Sequence, residues 1–201
     1  MKERPILFSG PMVRALLAGT KTQTRRIVKP QPAPDQQPRT VIGSSGFVYV
    51  MDNAPLLPYP EVRRVRWDCP YGQPGDRLWV RETFGHFERN DNFTPGCEVF
   101  YRADGGCLEI EPWRPSIHMP RWASRITLEI TGVRVERLQD IDISAAQAEG
   151  ASDTGSLILD SAGNEQGGPI AEYAVLWEQI NGPGSWDANP WVWVLEFRRL
   201  P

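Results

Sequence analysis

Nine prolines fall between Pro30 and Pro74 in this 201-residue chain, and four of them lie within the nine residues Pro30 to Pro38. Each proline fixes its own φ and removes an amide donor, so no helix and no central strand can run through such a segment. Residues 30–70 are therefore expected to be an insertion outside the core. Within it, only Phe47-Val-Tyr-Val-Met51 has the composition of a short strand or hairpin arm. The insertion closes at Pro70-Tyr-Gly-Gln-Pro-Gly-Asp76, where Pro74-Gly75 suits the middle of a tight turn. Residues 151–168, rich in Gly, Ser and Asp, read as a surface loop.

The segments on either side carry clear periodicity. Pro11 and Gly19 bracket Met12 to Ala18, in which Met12, Val13, Leu16 and Leu17 share a face, as a helix of about two turns would have them. Leu78, Val80 and Glu82 alternate with Trp79, Arg81 and Thr83, and Val99 and Tyr101 alternate with Phe100 and Arg102; both read as strands. From Arg125 to Leu138, Ile126, Leu128 and Ile130 mark one face, and Val133 and Val135 resume it one residue out of step. Gly132 sits at the slip, so a β-bulge is expected there, bending the strand as closure of a small barrel requires. Ser144-Ala-Ala-Gln147 has capping-box spacing and Gly150 can stop the helix it starts, while Asp140 and Asp142 favour the dipole of that helix start. Pro169 opens another helix with Ile170, Tyr173, Leu176, Trp177 and Ile180 in register, ended by Asn181-Gly182. Trp191 to Phe197 is mostly β-branched and aromatic, the signature of a strand buried on both faces. With no internal repeat, residues 1–201 are expected to form a single α+β domain, a small curved or closed sheet with three or four helices.

At 40% hydrophobic and 23% charged residues, the chain has the composition of a globular protein that needs no disulfide or metal for a core. Cys69, Cys97 and Cys107 are odd in number and lack a CxxC pair. With His86 and His118 they show no ligand spacing, so neither metal nor cofactor is expected, and the thiols read as buried. Met1 to Pro11 is too short and polar for a signal peptide, which suggests a reducing cytoplasm, and no run approaches the ~20 apolar residues of a membrane span. Residues 1–90 carry 14 Lys+Arg against 8 Asp+Glu, and residues 91–201 carry 8 against 17. Arginine outnumbers lysine by 19 to 3. That favours forked recognition of phosphate or carboxylate, unless the arginines serve only to offset acids across the fold.

Gly19-Thr-Lys-Thr-Gln-Thr-Arg-Arg26 concentrates hydroxyls and cations just after a helix. Lys21 and Thr24 would face opposite ways on a straight strand but can converge in a turn, where a desolvated lysine could serve as base for the Thr24 hydroxyl. The alternative is that Lys21 and Arg25 are solvated and that Thr22 and Thr24 bond the local backbone. Trp113-Arg-Pro-Ser-Ile-His-Met-Pro-Arg-Trp-Ala-Ser-Arg125 interleaves Trp, Arg and His. Arg121 and Trp122 there either grip phosphates and stack on bases, or Arg121 packs on Trp113 or Trp122 in a loop stiffened by proline. Trp177, Trp191 and Trp193 lie in patterned elements and read as core.

The string Pro5-Ile-Leu-Phe-Ser-Gly-Pro-Met-Val-Arg-Ala-Leu-Leu-Ala-Gly-Thr-Lys-Thr-Gln-Thr-Arg-Arg26 resembles the opening of ASCH-domain proteins, particularly the prophage-encoded group. Pro74 to Glu82, Ser116 to Arg125 and Asn189 to Phe197 resemble that group as well, so the likeness spans all but the proline-rich segment and the 151–168 loop. It implies a PUA-like fold, a small β-barrel flanked by helices, that binds RNA or a modified nucleobase in a cleft beside the first helix. Some small members look like amidohydrolases that deacylate N4-acetylcytidine with a Thr, a Lys and a Glu. Their motif falls on Lys21 and Thr24, their acid on Glu149, with Glu82 as the reserve. Thr22, Arg25, Arg26, Arg121 and Trp122 would complete the binding surface. The chain is about twice the length of those hydrolases, so binding of RNA or a modified nucleoside is the leading expectation and N4-acylcytidine hydrolysis the second. The third is a phage accessory module engaging a protein partner through its aromatic loops.

Overall fold

The computed structural model describes residues 1–34, 38–42, 48–52, 66–86, 94–105, 113–152, 158–159 and 165–201. The chain opens with strand β1 (Glu3–Leu7) and helix α1 (Gly10–Leu17). That helix has proline in its first turn, buries Met12, Val13 and Leu16, and ends at Gly19 in the left-handed region, φ 76°. Strand β2 (Gln23–Ile27) follows.

The proline-rich segment departs from expectation. It contributes a three-stranded antiparallel sheet, β3 (Pro38–Ile42), β4 (Val48–Asp52) and β5 (Arg66–Asp68), in that spatial order. Proline at the first residue of an edge strand removes no ladder bond, which is why the sheet survives Pro38. Thr40 Oγ1 accepts the Val135 amide at 3.0 Å, and Trp67 and Cys69 are buried in the main core, so the segment packs into the fold. The expected hairpin arm is β4, with Phe47 outside the described residues.

The chain returns through a tight turn in which the Asp76 amide donates to Gln73 O at 2.9 Å with Gly75 at φ 87°, as Pro74-Gly75 implied. Strands β6 (Arg77–Arg81), β7 (Phe84–Gly85) and β8 (Phe100–Tyr101) then precede the long β9 (Thr127–Arg137), helix α2 (Ile143–Ala148), the short ladder of β10 (Ile158–Leu159) and β11 (Glu165–Gln166), helix α3 (Pro169–Asn181) and β12 (Trp191–Arg199). Residues 151–168, read as a loop, thus carry the β10–β11 ladder, with 153–157 and 160–164 outside the described residues. Cys107 also lies outside them. The α2 cap differs from the expected Ser144 box. The Asp142 carboxylate accepts the Ala145 amide at 2.7 Å and takes the Ser144 hydroxyl as well, so the helix starts at Ile143.

The main sheet has the order β1-β6-β9-β12-β2, antiparallel except for the β1–β6 pair. Of the curved or closed sheet expected, the open form is found: edge strands β1 and β2 are not hydrogen-bonded to each other in a ladder, so the small barrel that the resemblance implies is not closed. They nevertheless approach: Arg26 Nη2 on β2 donates to Leu7 O at the end of β1 at 2.9 Å. The curl comes from the expected bulge. Glu196 pairs with Gly132 and Phe197 with Ile130, leaving Thr131 as the extra residue on β9. A Cβ on Gly132 would lie 2.6 Å from Glu196 Oε2, a contact that the flexible end of that side chain would have to swing away to relieve.

Strand β12 divides the interior. Trp193, Leu195 and Phe197 join a core with α1, β6 and β9, while Val192 and Val194 face a second core built from Leu138, Tyr173, Ala174 and Trp177. Both faces are covered, which explains the unbroken apolar run. Among the described residues no helix is long and apolar enough to cross a membrane.

Asp76 ties the tight turn to the first strand, accepting the Lys2 amide at 2.7 Å, Arg4 Nη1 at 3.1 Å and the Gln73 amide at 3.3 Å. Its partial burial acts to raise the carboxyl pKa, but these donors outweigh that and hold it below its ordinary value. A depressed folded value means that the stabilisation is complete above the unfolded pKa near 3.8 and is lost as pH falls through the folded value. Asp76→Asn should therefore be less stable than the parent in urea at pH 7, and the gap should close as pH drops below that window.

Candidate functional site

The turn after α1 folds back on the helix, with the Thr20 and Lys21 amides donating to Ala15 O at 3.0 and 3.2 Å and the Thr22 amide to Ala148 O at 2.9 Å. Lys21 is thereby wedged between α1 and the end of α2, 2% exposed. Gly150, at φ 92°, permits this approach: a Cβ there would stand 3.1 Å from Ala15 Cβ and 3.5 Å from Lys21 Cβ. The residue before it, Glu149, closes α2 and is 3% exposed.

A buried charge cluster results. Lys21 Nζ donates to Glu149 O at 2.7 Å and to Glu149 Oε2 at 2.8 Å, and Arg25 Nη1 donates to Glu149 Oε1 at 3.3 Å. Arg25 Nη2 donates in turn to Glu136 on β9, which also accepts from Arg134. Burial pushes the Lys21 ammonium pKa below its ordinary value, and Glu149 offsets part of that shift. Burial and the neighbouring Glu149 charge hold the Tyr173 hydroxyl well above its ordinary pKa, so it remains a donor. Thr24, fully buried, accepts from Arg26 Nη1 at 3.1 Å. Among the described residues no hydrogen bond joins Lys21 to Thr24. Lys21 and Arg26 flank Phe8, whose ring lies 5.6 Å from Lys21 Nζ and 5.2 Å from the Arg26 guanidinium.

A cavity of about 580 Å³ opens in the gap between the edges of the curled sheet. Its floor is made of Phe8, Met12, Arg25, Glu149, Tyr173 and Trp177, all buried, and its rim includes the exposed Leu7, Lys29 and Ile180. The volume is within the ordinary range for small-ligand sites. The sequence matches no family model, no curated protein and no solved structure.

Of the residues singled out from sequence, Arg25, Arg26 and Glu149 line the cavity, while Lys21, bonded to Glu149, and Thr24, bonded to Arg26, adjoin them but are buried and do not line it. Thr22 is exposed and engages through its backbone. Glu82, the reserve acid, is buried elsewhere: Arg125 grips both its oxygens at 2.9 and 3.0 Å, also binds Asp104, and stacks 3.9 Å over Tyr101. Burial pushes the Glu82 carboxyl up despite Arg125. Arg121 pairs with Glu3 and lies over Trp79 at 6.0 Å; Trp122 is exposed. Cys69 is buried, as expected of a structural thiol, and burial raises its pKa to about 11, whereas Cys97, expected to be buried as well, is half-buried. Among the described residues no group of His, Cys, Asp and Glu is placed to hold a metal ion.

Four residues of the site carried no functional signal in sequence. Tyr173 and Trp177 read only as a helix stripe, and Trp177 proves to be both core and cavity wall. Glu136 sits on a strand whose alternation marks faces, not partners. Phe8 lies inside the string that resembles the ASCH opening, so that likeness could have flagged it.

Proposed function

We propose that this chain binds a nucleobase, carried by RNA or by a modified nucleoside, in the cavity between α1 and α3, as its resemblance to ASCH-domain proteins implies. The observation that carries the reading is one floor that joins aromatic rings, Phe8, Tyr173 and Trp177, to a buried acceptor and donor side by side, Glu149 and Arg25. Rings offer stacking, worth about 1–3 kcal/mol per base, and an adjacent donor and acceptor suit a base edge. Titration with N4-acetylcytidine or a short RNA should quench tryptophan fluorescence, and Phe8→Ala or Arg26→Ala should weaken binding by about tenfold. RNA affinity indifferent both to salt and to Arg26→Ala would count against it.

The buried Lys21 favours a second reading, hydrolysis of N4-acylated cytidine. As a neutral amine, Lys21 would spend its two N–H groups on Glu149 O and Oε2 and keep its lone pair, and Thr24, fully buried and off the cavity lining, would have to turn toward that amine and the cavity for its proton to pass. Arg26 donates to Thr24 Oγ1, so the hydroxyl hydrogen is free to leave. Thr24 Oγ would attack the amide carbonyl while Lys21 takes its proton. The C–N bond would then break as Lys21 returns that proton to the departing amine, and water would release the acid from Thr24. Activity should rise with pH through the lowered Lys21 pKa and fall by about 10²–10⁴ in Lys21→Ala. Absence of cytidine release from N4-acetylcytidine at any pH would leave binding alone.

A further inference from the structure

We infer that the ligand of this cavity carries a phosphate held by Arg26 and Lys29, so that a nucleotide is bound in preference to a free nucleoside; the inference rests on the nucleobase reading above. The charged residues of the lining are Arg25, Arg26, Lys29 and Glu149. Arg25 is balanced by Glu149 and Glu136, and Glu149 also holds Lys21, so that buried cluster neutralises itself. Arg26 and Lys29 are different. Among the described residues Arg26 donates only to neutral acceptors, Thr24 Oγ1, Arg25 O and Leu7 O. A guanidinium has five N–H groups, so Nε and one Nη2 hydrogen remain without an acceptor among the described residues. Lys29 stands exposed at the rim with no ion pair among the described residues.

The lining therefore presents two uncompensated positive charges beside rings that suit a base. A phosphate monoester carries about two negative charges at pH 7, which matches them, and Arg26 supplies a forked donor set of the kind that phosphate oxygens accept. A diester within RNA offers the same oxygens with one charge.

Calorimetric titration of the full chain with N4-acetylcytidine, its 5′-monophosphate and inorganic phosphate tests this. The monophosphate should bind about tenfold tighter than the nucleoside, and that advantage should shrink with added salt. It should also vanish in Lys29→Gln, whose exposed side chain is dispensable for folding, and return in Lys29→Arg. A dinucleoside monophosphate binding as tightly as the mononucleotide would support the inference with an RNA diester as the source. Equal affinity for nucleoside and monophosphate would overturn it while sparing the nucleobase reading. Binding of monophosphate and inorganic phosphate alike, with the nucleoside silent, would keep the phosphate site and sink the nucleobase reading. No binding of any probe would overturn both.

Discussion

Glu149→Gln should lower folding stability at pH 7 by about 3–5 kcal/mol, the cost of removing one member of a buried ion pair. Glutamine keeps the size of the side chain but leaves Lys21 facing no carboxylate and Arg25 with Glu136 alone. The loss should depend on pH, and its sign follows from Lys21. Burial already holds that amine below 10.5, and Glu149 is the main influence resisting the shift, so in the variant the pKa falls further. Between the folded value and 10.5 the unfolded chain holds the extra proton, so stability rises with pH across that window and the variant recovers toward the parent. Urea unfolding at neutral and alkaline pH measures this. A deficit below about 1 kcal/mol at pH 7 would mean that the cluster is hydrated like a surface pair. Removing both charges in Lys21→Met/Glu149→Leu should cost less than the two single losses combined, because no unpaired ion is left behind.

Trp193→Ala should destabilise the chain by a similar amount, about 3–5 kcal/mol, by a different mechanism. The indole is among the largest fully buried side chains and sits on β12, flanked in register by Val135 on β9 and Arg26 on β2. Its removal takes dispersion contacts from the core that holds Phe8, Met12 and Leu16, and the neighbouring strands cannot close the void without breaking ladder bonds. No charge is exposed by this change, so the deficit should stay flat over the pH range in which Glu149→Gln recovers. Ligand affinity should fall along with stability, since Phe8 and Met12 belong to the cavity floor. A loss under about 2 kcal/mol would show that the core collapses onto the space.

The two variants differ in how far sequence could have anticipated them. Trp193 is legible: an unbroken apolar, β-branched run has few homes other than a strand covered on both faces, and β12 is one. The slip at Gly132 is legible for the same reason, since a change of phase between Ile130 and Val133 is written in consecutive residues. Helix α1 announces itself through Pro11 and Gly19. The start of α2 is not legible, because Asp142 and Ser144 are both good caps and local spacing does not rank them. The sheet within the proline-rich segment was hidden, since what a proline forbids depends on whether its strand is at an edge.

The site divides along the same line. Local sequence supplied the clustered chemistry of Lys21, Thr24, Arg25 and Arg26, but not the strand β2, whose alternation sends Arg25 toward Tyr173 and Arg26 toward Phe8. It did not supply Glu136, more than a hundred residues away, or the fact that the sheet curls without closing and leaves a cavity between its edges. Backbone periodicity is a property of neighbours in the chain and sets the face each side chain takes. Which faces meet, and which charges are stripped of water together, depends on how bulge, helix ends and core volumes fit in three dimensions, and only the folded chain fixes that.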